Sequence, residues 1–159
     1  MSKKCTGLTA LLLLVIAGGT YKFIFQGSAV EGTDGRLTIH LTAGERDLVL
    51  TEMRAFLESI RQVTAGITAD DMELVAEYAR KSGKAAQGEV PGTLVGKLPL
   101  AFKKLGFDTH AKFDQLALDA EEFGDSDHAL SQLSILMENC TACHAAYRFD
   151  IQNQRAADE

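Results

Sequence analysis

The sequence predicts an all-α protein, an antiparallel four-helix bundle preceded by one apolar N-terminal helix, and three observations predict it. With no tryptophan, only two prolines and abundant alanine and leucine, the composition suits helices better than sheet. Four segments between residues 43 and 150 carry apolar residues at steps of three and four, joined by mostly short connections. The pattern holds no credible strand run. At 159 residues this is one domain with appendages, without an internal repeat or low-complexity tract. A net charge of -6 argues against nucleic-acid binding.

The N-terminus reads as a targeting or anchoring segment. Residues 1–6, with Lys3 and Lys4, are basic, and residues 7–25 are largely apolar. Leu8 to Phe25 as a helix spans about 27 Å, close to the thickness of bilayer hydrocarbon. The two lysines predict a cytoplasmic N-terminus and an exported C-terminal domain. A cleaved signal peptide is the alternative, with Ala17-Gly18-Gly19 as its small-residue site. Against cleavage, apolar character resumes at Tyr21 to Phe25 instead of giving way to a polar start. Cys5 precedes the apolar run and so does not suit a lipoprotein anchor. Residues 26–42, rich in Gly, Thr and Asp, read as a linker, with His40 as a surface residue.

The first bundle helix runs from about Ala43 to Ala65, with Val49, Met53, Phe56, Leu57, Ile60 and Val63 on one stripe and Gly66 as a stop. A second begins near Thr68 as cap, carries Met72, Val75, Ala76 and Ala79, and ends at Ser82-Gly83. Residues 84–106 read as an irregular connection, with a short helix from Leu98 to Leu105. The third helix begins after Asp108 or Thr109 and closes at Gly124, and His110 reads as a surface histidine of its cap region. Asp125 or Ser126 caps the fourth, whose stripe is Leu130, Leu133, Leu136, Met137, Cys140, Cys143, His144 and Tyr147. Residues 151–159 read as a flexible tail.

The chemistry lies in Cys140-Thr141-Ala142-Cys143-His144. Two cysteines separated by two residues and followed at once by histidine have the spacing of c-type haem attachment. Each thiol adds across one haem vinyl group, and the adjacent imidazole is held beneath the iron as its proximal ligand. On a helix, positions 140, 143 and 144 share a face, so one side of a single helix can grip the macrocycle. A thioredoxin-like dithiol instead opens a helix after a strand. Zinc needs about four protein ligands, and neither Cys5 nor His40, His110 or His128 stands at metal-like spacing to the motif.

A C-terminal motif of this kind on the last helix of a four-helix bundle resembles the class II c-type cytochromes, the cytochrome c prime family. The resemblance spans roughly residues 43 to 150 and is most specific in Gly124-Asp125 and in Cys140 to Arg148. It implies one covalent haem c per chain, bound between helices, with the domain exported to the periplasm of a bacterium. With the uncleaved segment this places the protein at the inner membrane; with cleavage it is soluble in the periplasm. Soluble members lack such an anchor, so the chain departs from the family there. The family commonly has a basic residue four places beyond the proximal histidine, here Arg148, near a haem propionate. The same cation also suits the dipole of a helix C-terminus. Family members often dimerise through their first two helices, so a homodimer is open.

What sits on the other face of the iron divides the family. Its distal residue comes from the first helix, and here Met53 lies mid-helix on the inward stripe. Methionine there gives a six-coordinate low-spin iron with a raised potential, suited to electron transfer. Met72 is the reserve candidate, while Met137 lies two turns before His144 on one helix and cannot reach the opposite face. Met53 as ordinary core filling is the alternative. The expected protein is therefore not an enzyme. It is a membrane-anchored one-electron carrier exchanging electrons with redox partner proteins of a respiratory or other electron-transfer chain. The rival reading is a five-coordinate haem protein that binds nitric oxide or carbon monoxide; a third is a haem subunit of a larger respiratory assembly.

Overall fold

A computed structural model describes residues 3–88 and 90–151. Residues 1–2 of the basic N-terminus and 152–159 of the expected tail lie outside the described residues. The protein is mostly helical, with one apolar N-terminal helix, α1 (Lys3–Thr20). Beyond it stand α2 (Ala43–Ala69), α3 (Met72–Lys81), α4 (Gly92–Lys97), α5 (Leu100–Phe123) and α6 (Ser126–Ala146). Together with the π-helical turn Tyr21–Gln26, α1 makes a stretch from Cys5 to Gln26 long and apolar enough to cross a membrane. Leu8 and Leu11 to Ile16 are all exposed along it, as a lipid-facing surface requires.

Helix α2 packs on α3, α3 on α5, α5 on α6 and α6 back on α2. The side chains enclosed by this ring are Phe56, Val63, Val75, Ala79, Phe113, Leu116, Leu133 and Leu136. The apolar stripes account for it, with exceptions on the expected inward faces: Leu57 is 67%, Leu130 51% and Met137 40% exposed, and His144 is exposed too. Helix α2 runs through Gly66, where the chain expected a stop. A Cβ at Gly66 would meet Val75 Cγ2 at 2.8 Å, so this glycine serves close approach of α3 and not termination. The turn comes instead at Asp70, whose φ of 56° is left-handed, and Asp71, not Thr68, caps α3 through the Leu74 N–H. Gly124, at φ 62°, ends α5, and Asp125 caps α6 by accepting from the Asp127 and His128 N–H groups.

The connection expected to be irregular over 84–106 is largely helical. It contains a short 3-10 turn at Lys84–Gln87, then α4, and α5 already begins at Leu100 behind Pro99.

The all-α expectation needs a larger correction. Three strands, β1 (Ala29–Glu31), β2 (Leu37–Leu41) and β3 (Tyr147–Ile151), form a sheet in the order β1-β2-β3. β1 pairs antiparallel with β2, and β3 pairs parallel with β2, Leu37 opposite Tyr147 and Leu41 opposite Ile151. The expected linker is thus a hairpin, and the end of the expected last helix is a strand. Alternation explains both: Leu37, Ile39 and Leu41 share the sheet face of Tyr147, Phe149 and Ile151, with Thr38, His40, Arg148 and Asp150 on the other. Tyr147 also falls at helical spacing from Cys143 and His144, which is why the strand reads as helix in the sequence.

The sheet's apolar face closes a second core of Ala29, Ile39, Leu41, Val49, Leu94 and Leu98, with Phe102, Tyr147 and Phe149 packed against it. Fully buried Ile39 and Leu41 contribute about 1.5–3 kcal/mol each. His40 is partly buried, and its carbonyl accepts from the Ser28 hydroxyl at 3.2 Å. The Ser28 N–H donates to the Lys97 carbonyl at 2.8 Å, and Gly27, at φ 60°, leaves no room for a Cβ against Lys97. The apolar N-terminal stretch therefore meets the domain without slack.

One ion pair ties α2 to α4. Lys97 Nζ donates to Glu45 Oε2 at 2.6 Å, and the same carboxylate accepts the Thr42 N–H in a capping box. Burial raises the Glu45 pKa, but Lys97 and Thr42 outweigh it and hold it at about 2, against 4.5 for a free glutamate. The stabilisation is present above pH 4.5 and is lost as pH falls towards 2. Urea midpoints of wild type and Glu45→Gln measured by circular dichroism are expected to differ at pH 6 and to converge at the acid end.

Candidate functional site

Helix α6 positions the motif. Cys140 and Cys143 are free thiols, both partly buried, and His144 is exposed with its ring making no hydrogen bond or ion pair among the described residues. Cys140 packs against the core enclosed by the helices. Burial pushes the Cys140 thiol up; burial, and then the neighbouring Cys140, push Cys143 up to about 11. Thiols tuned for dithiol exchange are shifted the other way.

The start of the motif is pinned by a polar clamp. Asn139, 8% exposed, donates to Asp108 Oδ2 at 2.8 Å and to the Thr109 hydroxyl at 3.3 Å. Lys112 donates to the Asn139 side-chain oxygen at 3.2 Å and pairs with Asp108 at 2.7 Å. Lys112 and Asn139 also hold the Asp108 carboxyl below its ordinary value. This fixes α6 against α5 one residue before Cys140. Sequence reading missed the clamp, because an Asn one step from a motif carries no pattern that points to a partner thirty residues away.

At the other end of the motif α6 stops at Ala146. The expected place of Arg148, at the C-terminus of the last helix four places beyond His144, is therefore corrected: this residue lies on β3. Its guanidinium stands 3.5 Å from Asp34 and 3.7 Å from Asp150. Asp34 also holds Arg36 at 2.7 Å, and that arginine beside it keeps the Asp34 carboxyl at about 2. Arg36 Nη1 in turn donates to the His144 carbonyl at 3.5 Å, serving the C-terminus of α6 from the β1–β2 turn. Two guanidiniums thus stand around the end of the motif. Arg36 was missed since its segment reads as linker; the alternation in Leu37 to Leu41 was the signal that would have placed it in a hairpin.

Met53, on α2, is partly buried and packs against both cores. These are the cores that Cys140, at the beginning of the motif, and Tyr147, just past its end, also border. Met72 packs only against the first core, and Met137 is 40% exposed. Arg54 stays on the solvated face and donates to Thr51.

His110 is not the surface residue expected from its polar neighbours. It is 3% exposed, with Nδ1 2.8 Å from the Ser82 carbonyl, Nε2 3.1 Å from Glu52 Oε1, and its ring centroid 4.9 Å from that of Phe56. Burial opposes its protonation, but Glu52 and the Ser82 and Gly83 carbonyls prevail and raise its pKa above 6.5. A raised folded pKa stabilises fully below pH 6.5 and loses that contribution as pH rises through the folded value. Urea midpoints are expected to fall on passing from pH 6 to pH 9 in wild type, and to fall less in His110→Gln.

Among the described residues no group of three or more His, Cys, Asp or Glu is placed to hold a metal ion. Cys140, Cys143 and His144 therefore do not converge on one point, as a tetrahedral centre demands. Comparison with protein-family models, curated proteins and solved structures gives no match for the chain.

Proposed function

We propose that the chain is a membrane-anchored c-type cytochrome, a four-helix haem domain on the periplasmic face of a bacterial inner membrane that carries single electrons between redox partner proteins. The observation that carries the reading is the position of Met53: it borders both cores flanked by the attachment motif. Haem, when bound, supplies the one-electron couple. Cys140 and Cys143 hold it by thioether bonds, and His144 offers an uncommitted imidazole nitrogen on the same helix. Met53 offers a soft sulfur from α2, which favours the reduced state. Arg36 and Arg148 bring positive charge to the end of the motif, where carboxylates of the cofactor's edge are stabilised. Apolar side chains of α2, α5 and α6 beside Met53 and Cys140 would limit water on that side of a bound haem.

The optical spectra of the purified haem-loaded protein and of Met53→Ala test it. A low-spin ferric spectrum with the near-infrared sulfur-to-iron band, lost on substitution, is the expected result. A high-spin spectrum unchanged by the substitution overturns methionine ligation and makes nitric oxide or carbon monoxide binding the function.

A further inference from the structure

Between the end of the anchor and the start of α5 lies a cleft of about 440 Å³, a size typical of small-molecule sites. Phe25, Val30, Leu37, Pro99 and Ala101 give it apolar walls. Gln26, Glu31 and Tyr147 are its polar members. The Glu31 carboxylate and the Tyr147 hydroxyl have no hydrogen-bond partner among the described residues. Gln26 accepts from Lys22 through its oxygen, which leaves its amide N–H groups uncommitted.

Position gives the cleft its meaning. Phe25 and Gln26 belong to the last turn of the stretch that is apolar enough to cross a membrane, so the cleft opens where that helix leaves the bilayer. Its other wall, Tyr147, comes three residues after His144 and is close enough to Cys143 for that thiol to raise its pKa, second to burial. One cleft therefore reaches from the end of that apolar stretch to Tyr147, three residues beyond the attachment motif.

We infer that this cleft binds a lipid-soluble quinol or quinone, an inference that rests on the electron-carrier reading above. A flat ring bearing hydroxyl or carbonyl oxygens matches a carboxylate acceptor and two donors set in apolar walls, and an isoprenoid-type tail leaves past Phe25 and Val30 into the bilayer. Glu31 opposes the phosphate of a phospholipid headgroup, and a diacyl lipid is too bulky for the space.

Photolabelling tests it on the full-length protein in phosphatidylcholine nanodiscs. The probe is an azido-substituted benzoquinone, located by peptide mass spectrometry. Label is expected on segments 25–37 and 99–101, falling about tenfold or more in Ala101→Trp, which fills the cleft from an exposed position, and in Leu37→Lys, with helical circular dichroism unchanged. Label confined to residues 8–24, or unaffected by either variant that folds, overturns the inference. So does a photoactivatable phosphatidylcholine that labels the same segments and displaces the quinone. The pyridine haemochrome spectrum of the same sample separates the two readings. Without covalent haem the cytochrome reading falls whatever the label shows; with haem present and the cleft unlabelled, only the quinone site falls.

Discussion

Serine at both Cys140 and Cys143 is expected to abolish covalently bound haem, read as complete loss of the peroxidase-active band on a denaturing gel of the protein expressed with a cytochrome c maturation system. Serine hydroxyls keep the size and the helix but do not add across a vinyl group under those conditions, so no covalent link survives denaturation. The thiols are a helical turn apart, partly buried and unpaired, so nothing in the fold competes for them. His144→Ala is expected to keep the gel band while changing the optical spectrum, because on the cytochrome reading it would remove an iron ligand and leave both thioethers. A wild-type protein that carries no band under the same conditions would end the cytochrome reading at once. Zinc in that protein, released on thiol modification, would identify the rival use of the motif.

Phe113→Ala is expected to cost about 3–5 kcal/mol of folding stability, measured by chemical denaturation of the full chain in detergent. Phe113 is fully buried where α2, α3, α5 and α6 meet, and its ring lies stacked 5.5 Å from that of Phe56. Phe56 in turn covers His110. The cavity therefore opens beside a buried histidine that Glu52 and Ser82 hold in place, and the pH dependence of stability should weaken together with its magnitude. A loss below about 1 kcal/mol would mean that this core is not packed as described.

The helical part of the fold was legible because long amphipathic segments announce themselves: Val63 and Val75, or Leu116 and Leu136, sit where their spacing puts them. The strands were not, for a physical reason. β1 has three residues and β2 and β3 five each, too few for alternation to stand out, and Tyr147 satisfies a helical period as well as a β one. Register alone tells the two apart, and register is set by β2, far away in sequence. Arg148 was misplaced with its strand. His110 was misread because Asp108 and Thr109 beside it are polar, yet both serve Asn139 across the α5–α6 contact. Polarity of neighbours marks a surface only where those neighbours lack partners. The thiols, the imidazole and Met53 were legible as residues; the place of Met53 between two separate cores was not, since the second core exists only through the sheet.

The parallel pairing of β2 with β3 also orders events in time. Leu37 meets Tyr147 across a separation of more than a hundred residues, so the hairpin that follows the apolar N-terminal helix stays one strand short while the helices are made. β3 begins one residue after α6 ends, so the closing strand reaches β2 only after Cys140, Cys143 and His144 have left the ribosome. Until that last strand docks, the second core lacks Tyr147 and Phe149. On the cytochrome reading proposed above, haem attachment at Cys140 and Cys143 would fall before or during closure of the sheet, since β3 follows the motif directly in the chain.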